Sequence, residues 1–70
     1  MNIVFNGRVF ELETPCDLST LLENPDINQG LPLAQAVVAL NQTFIHRDDY
    51  CNYQLKDNDE IEMLTAVVGG

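Results

Sequence analysis

Positive charge is scarce in this chain: three Lys/Arg stand against eleven Asp/Glu, a formal net charge of -8 over 70 residues. Nucleic-acid affinity rests on neutralising phosphates with Lys and Arg, so nucleic acid is excluded as a partner. An anionic membrane surface is disfavoured by the same repulsion. Long apolar runs are missing too, since none approaches the ~20 residues a membrane span needs. The opening Met1 to Phe10 is broken by Asn6, Gly7 and Arg8 and holds no signal-peptide apolar region. The sequence therefore predicts a protein that remains in the cytoplasm.

Residues that carry chemistry are equally sparse. The single histidine, His46, has no second histidine with which to complete a zinc site. The two cysteines, Cys16 and Cys51, lie far apart and form no CxxC pair. A structural disulfide would be unusual in a cytosolic chain. They read either as ordinary reduced thiols or, for Cys16 just ahead of a predicted helix, as a thiol whose pKa the helix dipole lowers. Asp48-Asp49 and Asp57, Asp59 and Glu60 are carboxylate clusters in turns. The second lacks the glycine and bidentate-glutamate spacing of a calcium loop. There is no glycine-rich phosphate loop and no catalytic set.

What is present is enough for one small domain. At 46% hydrophobic the chain is not a disordered tail. A chain of this size buries about 60% of the surface its unfolded form exposes. Its core then yields a net stability of roughly 3–5 kcal/mol, with no room for a deep active site beside a cofactor pocket. The acidity has two readings: it confers solubility, or it steers the protein toward a partner with a basic surface.

Met1, Ile3 and Phe5 alternate with Asn2 and Val4, and Asn6-Gly7 supplies a type I′ turn signal. Arg8 to Leu12 returns, with Phe10 and Leu12 on one face and Val9 and Glu11 on the other, until Thr14-Pro15 breaks the strand. Asp17 is the expected N-cap of a short helix whose Leu18, Leu21 and Leu22 form one apolar stripe. Asn24-Pro25 ends that helix, and Asp26 to Gln35, with Gly30 and Pro32, reads as a loop. The apolar run Ala36 to Leu40 predicts a central strand covered on both faces. After an Asn41-Gln42 turn, Thr43 to His46 forms a short strand. A polar corner with one helical turn follows at Arg47 to Tyr50, then a brief edge strand at Tyr53 to Leu55. Lys56 to Asp59 turns into a last strand, Glu60 to Leu64, with Ile61 and Met63 on one face and Glu62 and Leu64 on the other.

The predicted order is β-β-α-β-β-β, an α+β domain with a mixed sheet of four to five strands and one helix across one face. The helical crossover is expected to set the strand after it parallel to the opening hairpin. Residues 1–64 form the domain, and residues 65–70 a flexible tail ending Val67-Val68-Gly69-Gly70. Two glycines without Cβ let another protein close tightly around a chain. Five extended residues, Ala66 to Gly70, reach about 17 Å, enough to place a terminal carboxylate inside a partner's active site. A carboxylate is a poor electrophile, so such use requires ATP to convert it to an acyl-adenylate. The plainer reading is an ordinary frayed terminus. Leu64, opposite the predicted core face, is expected to be exposed beside the tail with Val67 and Val68 beyond it, a candidate partner-binding surface.

A chain of this size and order ending in Gly69-Gly70 resembles the β-grasp, ubiquitin-like superfamily. Within it, the stretches Ala39 to Tyr50 (Ala-Leu-Asn-Gln-Thr-Phe-Ile-His-Arg-Asp-Asp-Tyr) and Leu55 to Gly70 (Leu-Lys-Asp-Asn-Asp-Glu-Ile-Glu-Met-Leu-Thr-Ala-Val-Val-Gly-Gly) are similar to the ThiS sulfur carriers of thiamine biosynthesis. The opening Ile3, Phe5, Asn6 and Gly7 also fit. The chain departs from that pattern with His46 where proline is common, Asn58 where glycine is common, and a less typical loop carrying Pro25 and Pro32.

The resemblance implies a protein co-substrate with no active site and no bound cofactor, monomeric when free. A ThiF-type adenylyltransferase would use ATP and magnesium to adenylate the Gly70 carboxylate. A sulfurtransferase or cysteine desulfurase would supply sulfur, leaving a Gly70 thiocarboxylate. A ThiG-type thiazole synthase would accept that sulfur, with Val67, Val68 and Gly69 threading into each partner's active site. Three alternatives stand beside it: the small subunit of molybdopterin synthase, a conjugating ubiquitin-like modifier, and a binding module with an inert tail. The first usually runs longer between helix and central strand, so the short chain favours the thiamine branch.

Overall fold

A computed structural model describes residues 1–28, 30 and 35–65. The elements run β1 (Asn2–Phe5), β2 (Arg8–Glu11), α1 (Leu18–Leu22), α2 (Pro25–Asn28), β3 (Ala36–Leu40), β4 (Thr43–Ile45), a 3₁₀ helix (Arg47–Asn52) and β5 (Asp59–Thr65). They build a five-stranded mixed sheet in the order β2-β1-β5-β3-β4. Among the described residues, no helix is long and apolar enough to cross a membrane.

The last strand occupies the middle of the sheet. β5 pairs parallel to β1, with Ile3 opposite Asp59 and Phe5 opposite Ile61. On its other side it pairs antiparallel to β3, from Leu40 opposite Ile61 to Ala36 opposite Thr65. The parallel contact therefore belongs to β5. The strand after the helices, expected to take that role, does not neighbour the hairpin at all. β3 is interior, between β5 and β4, as expected, but it is not covered on both faces: Val37 is half exposed. Its unbroken apolar run reflects one face in the core and one left open.

Asparagine closes both inner strands against β5. Asn6 and Gly7 have φ of 49° and 81°, the type I′ signature, and Asn41 and Gln42 have φ of 50° and 71°. The Asn41 side chain accepts from the Glu60 N–H at 2.9 Å, while its backbone N–H donates to the Glu60 carbonyl at 2.7 Å. Asn58, at the turn before β5, has φ of 70°. Asparagine tolerates this left-handed region better than most residues, which accounts for its standing where a glycine is common.

One face of the sheet carries the core. Ile3, Phe5, Val38, Ile45, Ile61 and Met63 from the strands meet Leu18, Leu21, Leu22 and Ile27 from the helices, with Tyr50 and Leu55 closing the lower edge. Asp17 caps α1, its Oδ1 accepting from the Thr20 N–H at 2.7 Å. The segment expected to be wholly loop begins with α2: Pro25 occupies its first position, where a missing N–H costs nothing. Asn24 accepts from the Asp26 N–H at 3.0 Å, and Ile27 is buried. Pro32, on the same expected loop, lies outside the described residues. No edge strand forms at Tyr53 to Leu55. A single bridge joins Asp17 to Gln54, with Leu18 donating to the Tyr53 carbonyl and Leu55 to that of Cys16. β5 extends one residue past the expected boundary, to Thr65.

Two predictions follow from this packing. Ile61 is fully buried at the crossing of both inner pairings, so Ile61→Ala removes about 2–5 kcal/mol. Set against the roughly 3–5 kcal/mol of the whole domain, that loss is a large share, and urea titration will find the midpoint of the variant shifted to much lower urea. Hydrogen bonding from Thr20, side chain and backbone, holds the Asp17 carboxyl below its usual pKa. A folded-state pKa below the unfolded one gives stability that is present above the ordinary carboxylate pKa and lost as pH falls through the folded value. Asp17→Asn keeps a capping oxygen, so its thermal midpoint will fall less on acidification than that of the native chain.

Candidate functional site

The face of the sheet away from the helices has no covering layer among the described residues. Side chains alternate along β5, so Ile61 and Met63 point into the core while Glu60, Glu62 and Leu64 point outward. Register then decides what lies beside them. Leu64 is opposite Val37, and Glu62 is opposite Ala39, which in turn is opposite Phe44. Leu64, Val37 and Phe44 are 61%, 47% and 72% exposed, so three large apolar side chains stand in water close to the strand's end. An apolar patch of this kind, rimmed by carboxylates, is the usual form of a protein-docking surface.

Further along the same face, Val4 sits opposite both Val9 and Glu60. Glu60 and Glu62 thus run beside the apolar patch, and the face presents negative charge around it. A basic partner would be steered toward it.

Where β3 begins, next to Thr65, a shallow cleft of about 330 Å³ adjoins the patch. Val37, Ile45 and Tyr50 form its apolar wall, with His46 and Arg47 at the rim. Burial pushes the Tyr50 phenol pKa up, against an opposing pull from Arg47. His46 acts locally: its Nδ1 accepts from the Asp48 N–H at 3.2 Å and caps the 3₁₀ helix. It meets neither cysteine. No group of three or more His, Cys, Asp or Glu that could hold a metal exists among the described residues.

The cysteines are both free and unpaired with each other. Cys16 was the one thiol with a possible functional reading, through a helix dipole that would lower its pKa. That reading fails and the ordinary thiol remains: burial, then the neighbouring Asp17 carboxylate, pushes the thiol up. A helix of five residues beginning behind an anionic cap offers little positive field to oppose them. Cys51 is exposed, with its Sγ 3.8 Å from the Asn52 side-chain oxygen.

Of the residues singled out from the sequence, Leu64 is on the open face. Val67, Val68, Gly69 and Gly70 lie outside the described residues. Val37 and Phe44 were missed. Val37 was hidden by the uniform apolar run of β3, and β4 is too short for its alternation to mark Phe44. The usable signal was the Asn41-Gln42 turn, which fixes Phe44 opposite Ala39 once both strands are accepted.

Comparison with known proteins places this arrangement. Residues 3–70 match the model of the ThiS family. The sulfur carrier protein ThiS of Escherichia coli (strain K12) is 29% identical over 70 residues, the whole of both chains. Among solved structures, the crystal structure of the thiamine biosynthesis protein ThiS from Geobacter metallireducens superposes with a TM-score of 0.81 at 24% identity, covering 100% of each chain. The solution structure of a thiamine biosynthesis protein from the same organism gives a TM-score of 0.73 at 25% identity, covering 100% of this chain and 88% of that one. Matched by the family model along residues 3–70, and with the fold of its solved relatives, the chain belongs to the ThiS family, whose members are sulfur carriers of thiamine biosynthesis and not catalysts.

Proposed function

We propose that this protein carries sulfur as a thiocarboxylate on Gly70 and delivers it for construction of the thiamine thiazole ring. The observation that supports this most directly is the family match, which runs through residue 70 and so includes the Gly69-Gly70 end. In the proposed cycle a ThiF-type adenylyltransferase, using ATP and magnesium, joins the Gly70 carboxylate to AMP and releases pyrophosphate. Persulfide sulfur from a cysteine desulfurase or sulfurtransferase displaces AMP. Reduction of the resulting acyl disulfide by a thiol leaves the thiocarboxylate. A ThiG-type thiazole synthase then takes the sulfur, and the carboxylate returns.

The chain contributes recognition and reach. Leu64, together with Val37 and Phe44, forms the apolar part of the docking surface, and Glu60 and Glu62 the charged part. Val67, Val68 and Gly69 pass through the partner's entrance, where the absence of Cβ at position 69 permits a close fit. The cycle takes place in the cytoplasm, with the carrier monomeric between encounters.

Intact mass measurement after incubation with ATP, a ThiF-type enzyme and a sulfur source tests the proposal. The expected gain corresponds to one oxygen replaced by sulfur, and deletion of Gly69 and Gly70 abolishes it without unfolding the domain. A truncated chain that still supports thiazole formation refutes the role of Gly70. Leu64→Asp places a charge in the middle of the apolar patch. It is expected to raise KM for the adenylyltransferase roughly tenfold, as loss of a docking anchor does, while the thermal midpoint stays near that of the native chain.

A further inference from the structure

β1 runs out before β5 does. The parallel pairing ends at Phe5 opposite Ile61, yet β5 continues to Thr65. From Met63 onward the β1 side of the strand has no neighbouring strand among the described residues, and its pairing rests on β3 at Val38, Val37 and Ala36. Asn6, the first residue past β1, fills part of that gap with its side chain. Its backbone N–H donates to the Ile61 carbonyl at 2.9 Å. Its Oδ1 accepts from the Met63 N–H at 2.8 Å, and its Nδ2 donates to the Met63 carbonyl at 3.2 Å. The amide thus makes the two bonds to Met63 that a continued β1 would have made from two of its residues, across 57 positions of sequence.

This placement is possible because Asn6 takes φ of 49°. The backbone turns away toward β2 there while the side chain continues forward along β5. Asparagine is favoured at this turn position, and glycine would make the same turn without the amide, so the two contributions of Asn6 are separable.

We propose that Asn6 is a positioning residue for loading of Gly70: its amide fixes the end of β5 at Met63, so that less of the chain leading to Gly70 has to be ordered when an activating enzyme closes on it. The inference rests on the proposed adenylation of Gly70. An activating enzyme docks the folded face but must also bring the terminal carboxylate onto the phosphorus of ATP. With the end of β5 fixed, the docked face and the start of the chain that leads to Gly70 are held as one body. With Met63 released on one side, the strand frays from Thr65 inward, and more chain must be ordered to bring the carboxylate to the phosphorus of ATP. Ordering one further residue slows that step roughly tenfold.

Asn6→Gly tests this, because it keeps the left-handed turn and removes only the amide. Asn6→Asp keeps the acceptor for the Met63 N–H and loses the donor. Steady-state adenylation of the full-length chains by a ThiF-type enzyme is measured together with hydrogen exchange at the Met63 amide. Asn6→Gly is expected to lower kcat roughly tenfold with KM within twofold of native, and to speed exchange at Met63 while the Val38 amide stays protected. Asn6→Asp should fall between native and Asn6→Gly. An unchanged kcat for Asn6→Gly overturns the proposal, as does a change confined to KM, which would make Asn6 part of the docking surface. A thermal midpoint that drops with kcat unchanged, measured where the variant is folded, assigns Asn6 a structural role alone and also overturns it. If native protein is not adenylated by a demonstrably active enzyme, the loading reading itself fails and this inference falls with it. Native loading with an indifferent Asn6→Gly leaves the loading reading standing.

Discussion

The pairing of β5 on both sides is the constraint from which the rest of this small protein follows. A strand that comes last in sequence lies in the middle of the sheet, so within the sheet the hairpin on one side and the β3–β4 pair on the other are joined only through it. Ile61 stands where the two pairings overlap, opposite Phe5 on one side and Leu40 on the other. These contacts span most of the chain, and the entropy of bringing them together must be offset by a single modest core. That is why the buried residues of β5 are so densely used. It is also why both inner strands close on β5 with an asparagine amide in addition to their backbone bonds.

The same arrangement separates the two faces of the sheet by task. The helices need one face to bury Leu18, Leu21, Leu22 and Ile27, and in burying them they fill that face. No described element remains to cover the other. Period-two alternation along β5 then sends Glu60, Glu62 and Leu64 outward as a direct result of sending Ile61 and Met63 inward. The apolar members of the open face, Leu64, Val37 and Phe44, come from three adjacent strands and gather near the end of β5 because register places them there. The proposed loading of Gly70 calls for recognition close to the terminus. In this fold, the strand that leads to the terminus is also the strand that organises the recognition face.

Much of this was legible in the sequence where one residue type has one physical use. Asn6-Gly7 and Asn41-Gln42 gave the turns, Asp17 the cap, and the Leu18, Leu21, Leu22 spacing the helix. Alternation in Glu60 to Leu64 gave the exposed side of Leu64. The failures share a cause. Ala36 to Leu40 is apolar throughout, so its sequence carries no record of which face is open, and the inference of a twice-covered central strand was natural and wrong. Tyr53 to Leu55 has the composition of an edge strand, but its backbone bonds go to the Asp17 region instead of a sheet neighbour. α2 was missed because Pro25 signals both the end of one helix and the first position of the next. For Cys16 the ordinary-thiol reading stands and the lowered-pKa reading fails, because burial and the negative charge of the cap itself, Asp17, outweigh the dipole.

A carrier handed between enzymes also faces a requirement that a permanent subunit does not: every complex must form quickly and then come apart. Three exposed apolar side chains form a small anchor, well short of the apolar area that obligate interfaces bury. The surrounding acidity changes encounter more than residence, since complementary charge raises association rates while most affinity differences lie in dissociation. A net charge of -8 on 70 residues, concentrated in part along Glu60 and Glu62, is suited to that division. The cost is self-repulsion within a domain whose stability is already small. The fold keeps this cost low by placing its carboxylates at exposed or half-buried positions, where water screens them, and by leaving no polar or charged residue among its buried ones in the described region.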